Sequence, residues 1–112
     1  MSTERVYTTE EIQERIKPIA EQYGLRAVYL FGSYARGDAT AESDVDLIVD
    51  TSGTGLTSLF KLGGLYCAFE DALQKKIDMI TVDSIMQKPL MKSDIAFKKN
   101  VWESKVRLYA AA

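Results

Sequence analysis

Ile12, Ile16, Ile19 and Tyr23 recur at spacings of 4, 3 and 4, the period of a helix with one apolar face. Thr8-Thr9-Glu10-Glu11 precedes them as a capping box, with Thr8 as N-cap and Glu11 reaching back. Pro18 interrupts the pattern, which predicts a kink or a second short helix starting near that residue. Gly24 ends the helix as a C-terminal cap. The period then changes. Arg26 to Phe31 (RAVYLF) is β-branched and aromatic and reads as a buried strand, punctuated by Gly32-Ser33. Ser43 to Val49 (SDVDLIV) predicts a second strand, and Thr51 to Gly55 a flexible loop. Leu59, Leu62, Tyr66, Phe69 and Leu73, spaced 3, 4, 3 and 4 apart, predict a helix across roughly residues 57–74. Its Gly63-Gly64 pair costs about 1 kcal/mol per glycine against alanine, which predicts close packing or a bend there. Lys76 to Val82 (KIDMITV) reads as a third strand, about Met91–Ser104 as a last helix, and Val106 to Tyr109 as a closing edge strand. Such an order of elements points to a small α/β or α+β sheet with helices on one face.

These elements fill 112 residues, the size of one domain, and 46% hydrophobic content supplies a packed core. No apolar stretch approaches the roughly 18 residues of a membrane helix, and the N-terminus lacks the layout of a signal peptide. A single cysteine, Cys67, cannot form an internal disulfide, so a reducing, cytoplasmic location is expected. There is no histidine. That excludes Ser-His-Asp and Cys-His hydrolases, imidazole acid–base chemistry and His-ligated zinc. Chemistry falls to carboxylates, hydroxyls, amines and a hard metal ion. The net charge of −2 hides an asymmetry: residues 1–60 carry 5 basic and 10 acidic side chains, residues 61–112 carry 9 and 6. Lys88, Lys92, Lys98, Lys99, Lys105 and Arg107 crowd the last quarter, as a solvated helix face or a surface for phosphate or an acidic partner. The overall acidity disfavours a tight grip on long nucleic acid.

The informative segment runs from Phe31 to Asp50, FGSYARGDATAESDVDLIVD. Asp44 and Asp46 lie two apart on a predicted strand, so both side chains project from one face. Alone, the pair reads as well as a strand end with two solvated aspartates. Adjacent carboxylates repel, and a divalent ion bound by oxygens removes the conflict. Gly32-Ser33 follows a strand directly, where backbone amides and a hydroxyl can hold phosphate oxygens. Gly-Ser, ten residues and then Asp-x-Asp arises by chance on the order of once in a thousand such chains. Arg36 either neutralises phosphate or pairs with Asp38 or Glu42. Tyr66, Phe69 and Cys67 are expected in the core, Trp102 as an anchor against the sheet, and Lys61 in solvent, although it could reach a phosphate.

Gly32-Ser33 with Ala35-Arg36-Gly37 and Ser43-Asp44-Val45-Asp46-Leu47 resembles the signature of the polymerase β-like nucleotidyltransferase superfamily, and most closely its minimal (MNT) branch. The resemblance covers nearly the whole chain and implies one minimal nucleotidyltransferase domain over residues 1–112. The implied fold is palm-like, a small mixed sheet of about four strands with helices mainly on one face. Gly32, Ser33 and Arg36 would bind the nucleotide, and Asp44, Asp46 and Asp78 would form the catalytic set and hold magnesium, with two ions expected. The family's third carboxylate falls on Asp78, a charge inside an otherwise apolar strand that is expensive unless paired or metal-bound. A plain strand-edge aspartate near Lys75 or Lys76 is the alternative. The implied activity is Mg-dependent transfer of a nucleotide, AMP from ATP, to a hydroxyl. Within this branch small proteins pair with HEPN-domain ribonucleases as antitoxins, and some adenylylate a tyrosine of that partner. A non-catalytic antitoxin that inhibits by binding and a small-molecule nucleotidyltransferase are the competing readings. No membrane and no long nucleic acid are expected as partners, and a homo-oligomer is left open. So short a chain is expected to hold the nucleotide and metals but only half of an acceptor site.

Overall fold

The computed structural model describes residues 6–55, 58–82 and 105–111. The last helix expected over Met91–Ser104, with Trp102 and the lysines from Lys88 to Lys99, lies outside them. Helix α1 spans Thr9–Gln22 and starts on the expected capping box: the Thr8 hydroxyl accepts from the Glu11 amide, and the Glu11 carboxylate accepts from the Thr8 amide. It runs through Pro18 as one element, not two. Pro18 is exposed, while Ile12, Ile16 and Ala20 hold both halves of the helix against the core. Burial of that stripe outweighs the one backbone hydrogen bond that proline forfeits. At the far end Gly24 takes φ +67, so that the Gly24 amide reaches the Glu21 carbonyl and the Leu25 amide the Ala20 carbonyl. This is a Schellman closure, sealed by buried Leu25.

Strand β1 spans Ala27–Phe31, and a five-residue helix α2, Gly32–Arg36, follows where the sequence predicted only punctuation. Strand β2 is Val45–Asp50, helix α3 Leu59–Leu73, strand β3 Ile77–Thr81 and strand β4 Val106–Ala110. The sheet order is β3-β2-β1-β4, with β2 and β3 parallel and the other pairs antiparallel. It is the expected four-stranded mixed sheet. Val28, Leu30, Val45, Leu47, Val49 and Ile77 share one buried cluster with Ile12 and Ile16 of α1 and Phe69 of α3. Both long helices therefore cover the same face. Phe31 and Ile48 pack separately with Tyr29, Ile80 and Val82, as alternation along a strand requires.

Helix α3 differs from its predicted stripe. Leu65, Phe69 and Leu73 form the fully buried line, while Leu62 and Tyr66 are half-buried. Tyr66 donates its hydroxyl to the Ile77 carbonyl at 2.9 Å, stitching α3 to β3. Cys67, expected in the core, is exposed, because it stands about 200° around the helix from both Leu65 and Phe69. Neither helix glycine is closely packed: a Cβ on Gly63 meets nothing within 4 Å, and one on Gly64 makes ordinary contact with Tyr23. Arg15 donates to the Ala72 carbonyl and Tyr7 to the Leu73 carbonyl, which holds the end of α3 against α1. Among the described residues no helix is long and apolar enough to cross a membrane.

Pro18→Ala restores a donor in a helix interior whose backbone is already helical. It should raise stability by about 1–3 kcal/mol in urea unfolding, at an unchanged denaturant slope. A loss of stability would show that proline is required by the helix path.

Candidate active site

Strand register brings the candidate residues to one end of the sheet. Phe31 of β1 pairs with Asp46 of β2, and Asp46 pairs with Asp78 of β3. In a parallel pair, residues in register point to the same face, so Asp46 and Asp78 share a side. Asp44 lies one residue ahead of β2, whereas the expected strand, Ser43 to Val49, includes it. It is exposed, as is Asp78, while Asp46 is half-buried.

Gly32 is required where it stands. The chain leaves β1 at φ +73 there, and a Cβ would lie 3.1 Å from the Asp46 carboxyl carbon and closer still to Oδ2. Glycine supplies both the dihedral and the space. The Ser33 hydroxyl makes no hydrogen bond among the described residues, while the Ser33 carbonyl accepts from the Gly37 and Asp38 amides and closes α2. Tyr34 packs inward and fixes this short helix to the core.

The electrostatics centre on Asp46. Burial, then Asp78 and then Asp44 push its carboxyl up from 3.8 to about 6, against the opposing pull of Arg36. Arg36 also meets Asp38, Nε to Oδ2 at 3.4 Å, in an exposed pair. Of its two expected roles, the pairing with Asp38 is the one present here, and its charge also reaches Asp46. Asp78 needs a correction. It sits on the edge strand β3 and is exposed, so its charge does not carry the burial cost expected of it. Among the described residues no ion pair joins it to Lys75 or Lys76. Its standing in the site comes from its register with Asp46.

Sequence reasoning gave Lys75 only as an ion-pair partner for Asp78. Its ammonium instead donates to the Ala41 carbonyl at 2.8 Å. The Val45 amide donates to the Lys76 carbonyl at 3.1 Å, and Thr40 and Ser43 close their own turn through the Ser43 hydroxyl. These bonds pin the loop that presents Asp44. No local pattern announces a contact between residues 34 positions apart. Lys61 is exposed in the first turn of α3, as expected.

Among the described residues no three acidic side chains stand close enough to form a ready-made metal cage. The donor set still suits a hard divalent ion: three carboxylates repel across one sheet end, and burial together with the other two pushes the Asp46 carboxyl up to about 6 despite Arg36. Residues 14–110 match the family profile described as Polymerase beta, Nucleotidyltransferase. The chain belongs to this family. Nucleotidyltransferases of this kind work with a divalent metal such as Mg²⁺. A relative from Methanocaldococcus jannaschii, provisionally named a protein adenylyltransferase, is 39% identical over 85 residues, covering 76% of this chain and 87% of that one. Protein adenylyltransferase MntA of Thermococcus cleftensis is 35% identical over 82 residues, covering 70% and 81%. The fold is similar to a chain in the complex of tri-AMPylated Shewanella oneidensis HEPN toxin with MNT antitoxin, at TM-score 0.62 and 18% identity, covering 93% of this chain and 74% of that one.

The folded nucleotidyltransferase holds the Asp46 proton more tightly than the unfolded chain does. This group's contribution to stability is therefore full below about pH 4 and falls as pH rises towards 6. In EDTA, Asp46→Asn should flatten that decline and melt above the parent at pH 7, with the two converging at low pH. Gly32→Ala should lower stability by about 1–3 kcal/mol in urea unfolding and displace the Asp46 carboxylate. A folded, fully active alanine variant would refute the steric argument.

Proposed function

We propose that this domain transfers AMP from ATP to a tyrosine hydroxyl of a HEPN-type partner and thereby acts as its antitoxin in the cytoplasm. The observation that carries the reading is the convergence of Asp44, Asp46 and Asp78 at one sheet end, with Gly32 packed directly on Asp46. The activity in the names of the relatives supports the same chemistry.

Asp44 and Asp46 would hold the magnesium, two ions in the full site, which would compensate the triphosphate charge and supply electrostatic stabilisation to the transfer. Gly32 and Ser33 hold the β- and γ-phosphates through backbone amides and the free Ser33 hydroxyl. Arg36 adds positive charge on the same side. Asp78, exposed at the sheet edge, meets the incoming hydroxyl, orients it and accepts its proton. The hydroxyl oxygen bonds to the α-phosphorus as the bond from that phosphorus to the bridging oxygen breaks. Pyrophosphate leaves, and the products are the adenylylated hydroxyl, pyrophosphate and one proton. Positioning and electrostatics supply the rate, so imidazole is not needed.

With ATP labelled at the α-phosphate, Mg²⁺ and the HEPN-domain partner, label should appear on a partner tyrosine. EDTA or Asp46→Asn should reduce labelling at least about 100-fold while the fold persists. Neutralisation that survives in the unlabelled Asp44→Asn and Asp46→Asn variants would establish a binder instead of an enzyme.

A further inference from the structure

Two cavities meet where α3 turns into β3. The larger, about 740 Å³, is bordered by Cys67, Glu70 and Asp71. The smaller, about 280 Å³, is bordered by Glu42, Ser43 and Asp44. Gln74, Lys75 and Lys76 line both, so the two are halves of one trough. Gln74 makes its bend: it takes φ +53, the only left-handed residue other than glycine among the described residues, and its side-chain amide donates to the Asp71 carbonyl. The trough starts on the exposed side of α3 and ends at Asp44, whose charge is felt by Asp46. It thus leads to the sheet end where chemistry is placed.

Its lining selects the occupant. Four carboxylates, Glu42, Asp44, Glu70 and Asp71, border it against two lysines, and the Lys75 ammonium is already engaged by the Ala41 carbonyl. A surface of this sign repels a nucleic-acid backbone and attracts lysine and arginine side chains. The run from Cys67 to Asp44 spans two cavities, a shape for an extended segment instead of a compact small molecule. We infer that the trough seats the acceptor polypeptide, through a segment carrying basic residues beside the hydroxyl that is modified. This rests on the reading of the domain as a protein adenylyltransferase and adds where the substrate lies.

The Glu70→Lys/Asp71→Lys double variant tests it, because neither side chain belongs to the metal or nucleotide site. In the labelling reaction with the HEPN-domain partner, KM for the partner should rise at least tenfold, with kcat and KM for ATP unchanged. Reversing Glu14 and Glu21, which border a separate cavity beside α1 and β4, should leave all three constants alone. An unmoved KM for the partner overturns the trough while the labelling itself upholds the transfer reading. If the parent labels nothing, a benzophenone on Cys67, the single thiol of the chain, decides the matter. Photocrosslinking to the partner that the double variant abolishes upholds the trough as a docking site and removes the transfer reading. No crosslink overturns both.

Discussion

Like charges held close, with Arg36 only partly opposing them, are the constraint around which this domain is arranged. Asp44, Asp46 and Asp78 would separate in a flexible chain, since like charges repel and the half-buried Asp46 gains by moving into water. Here they cannot. Asp46 is tied into the middle of the sheet, Asp78 is set beside it by parallel register, and Asp44 is presented by a loop bonded to the turn before β3. The apolar core between sheet and helices provides the burial that makes such an arrangement tolerable. The unfavourable term is local, and the favourable one is spread over the domain.

Polarity and shape divide the two faces of the sheet. One face is given to α1 and α3 and is apolar along its length. The alternate residues of β2 and β3 leave that face, and it is from them that Asp46 and Asp78 come. A strand with a period of two can therefore serve the core and the chemistry at once. Helix α2 completes the division: five residues long and anchored by Tyr34, it brings Gly32 onto Asp46 while Asp44 and Asp78 stay exposed.

Much of this was legible in the chain because it is encoded locally. The capping box at Thr8, the glycine closure at Gly24, the alternation of SDVDLIV and the helical stripe ending in Phe69 and Leu73 each involve neighbours within one turn or one strand. The misreadings share another origin. Of the kink or second short helix expected at Pro18, the second helix is absent because tertiary burial holds α1 as one element, and Cys67 was assigned to the core by its type when its angular position on α3 decides its exposure. Asp78 was singled out for a burial cost that an edge strand does not impose. Within the site, the Gly-Ser and Asp-x-Asp spacing could be read directly. The bond from Lys75 to Ala41 could not, because nothing short of the folded chain brings those residues together.

That bond has a mechanical consequence. A lysine ammonium is a point donor on a flexible stem, so it restrains as a swivel and not as a rigid clamp. The loop before β2 is held at the Ala41 carbonyl and again where the Val45 amide meets the Lys76 carbonyl, so the three residues that end at Asp44 are tied at both ends to the turn after α3. The turn after α3 and the loop carrying Asp44 are thereby one jointed part. A load on either is felt by the other, and the position of a single carboxylate becomes the readout of what presses on a helix end.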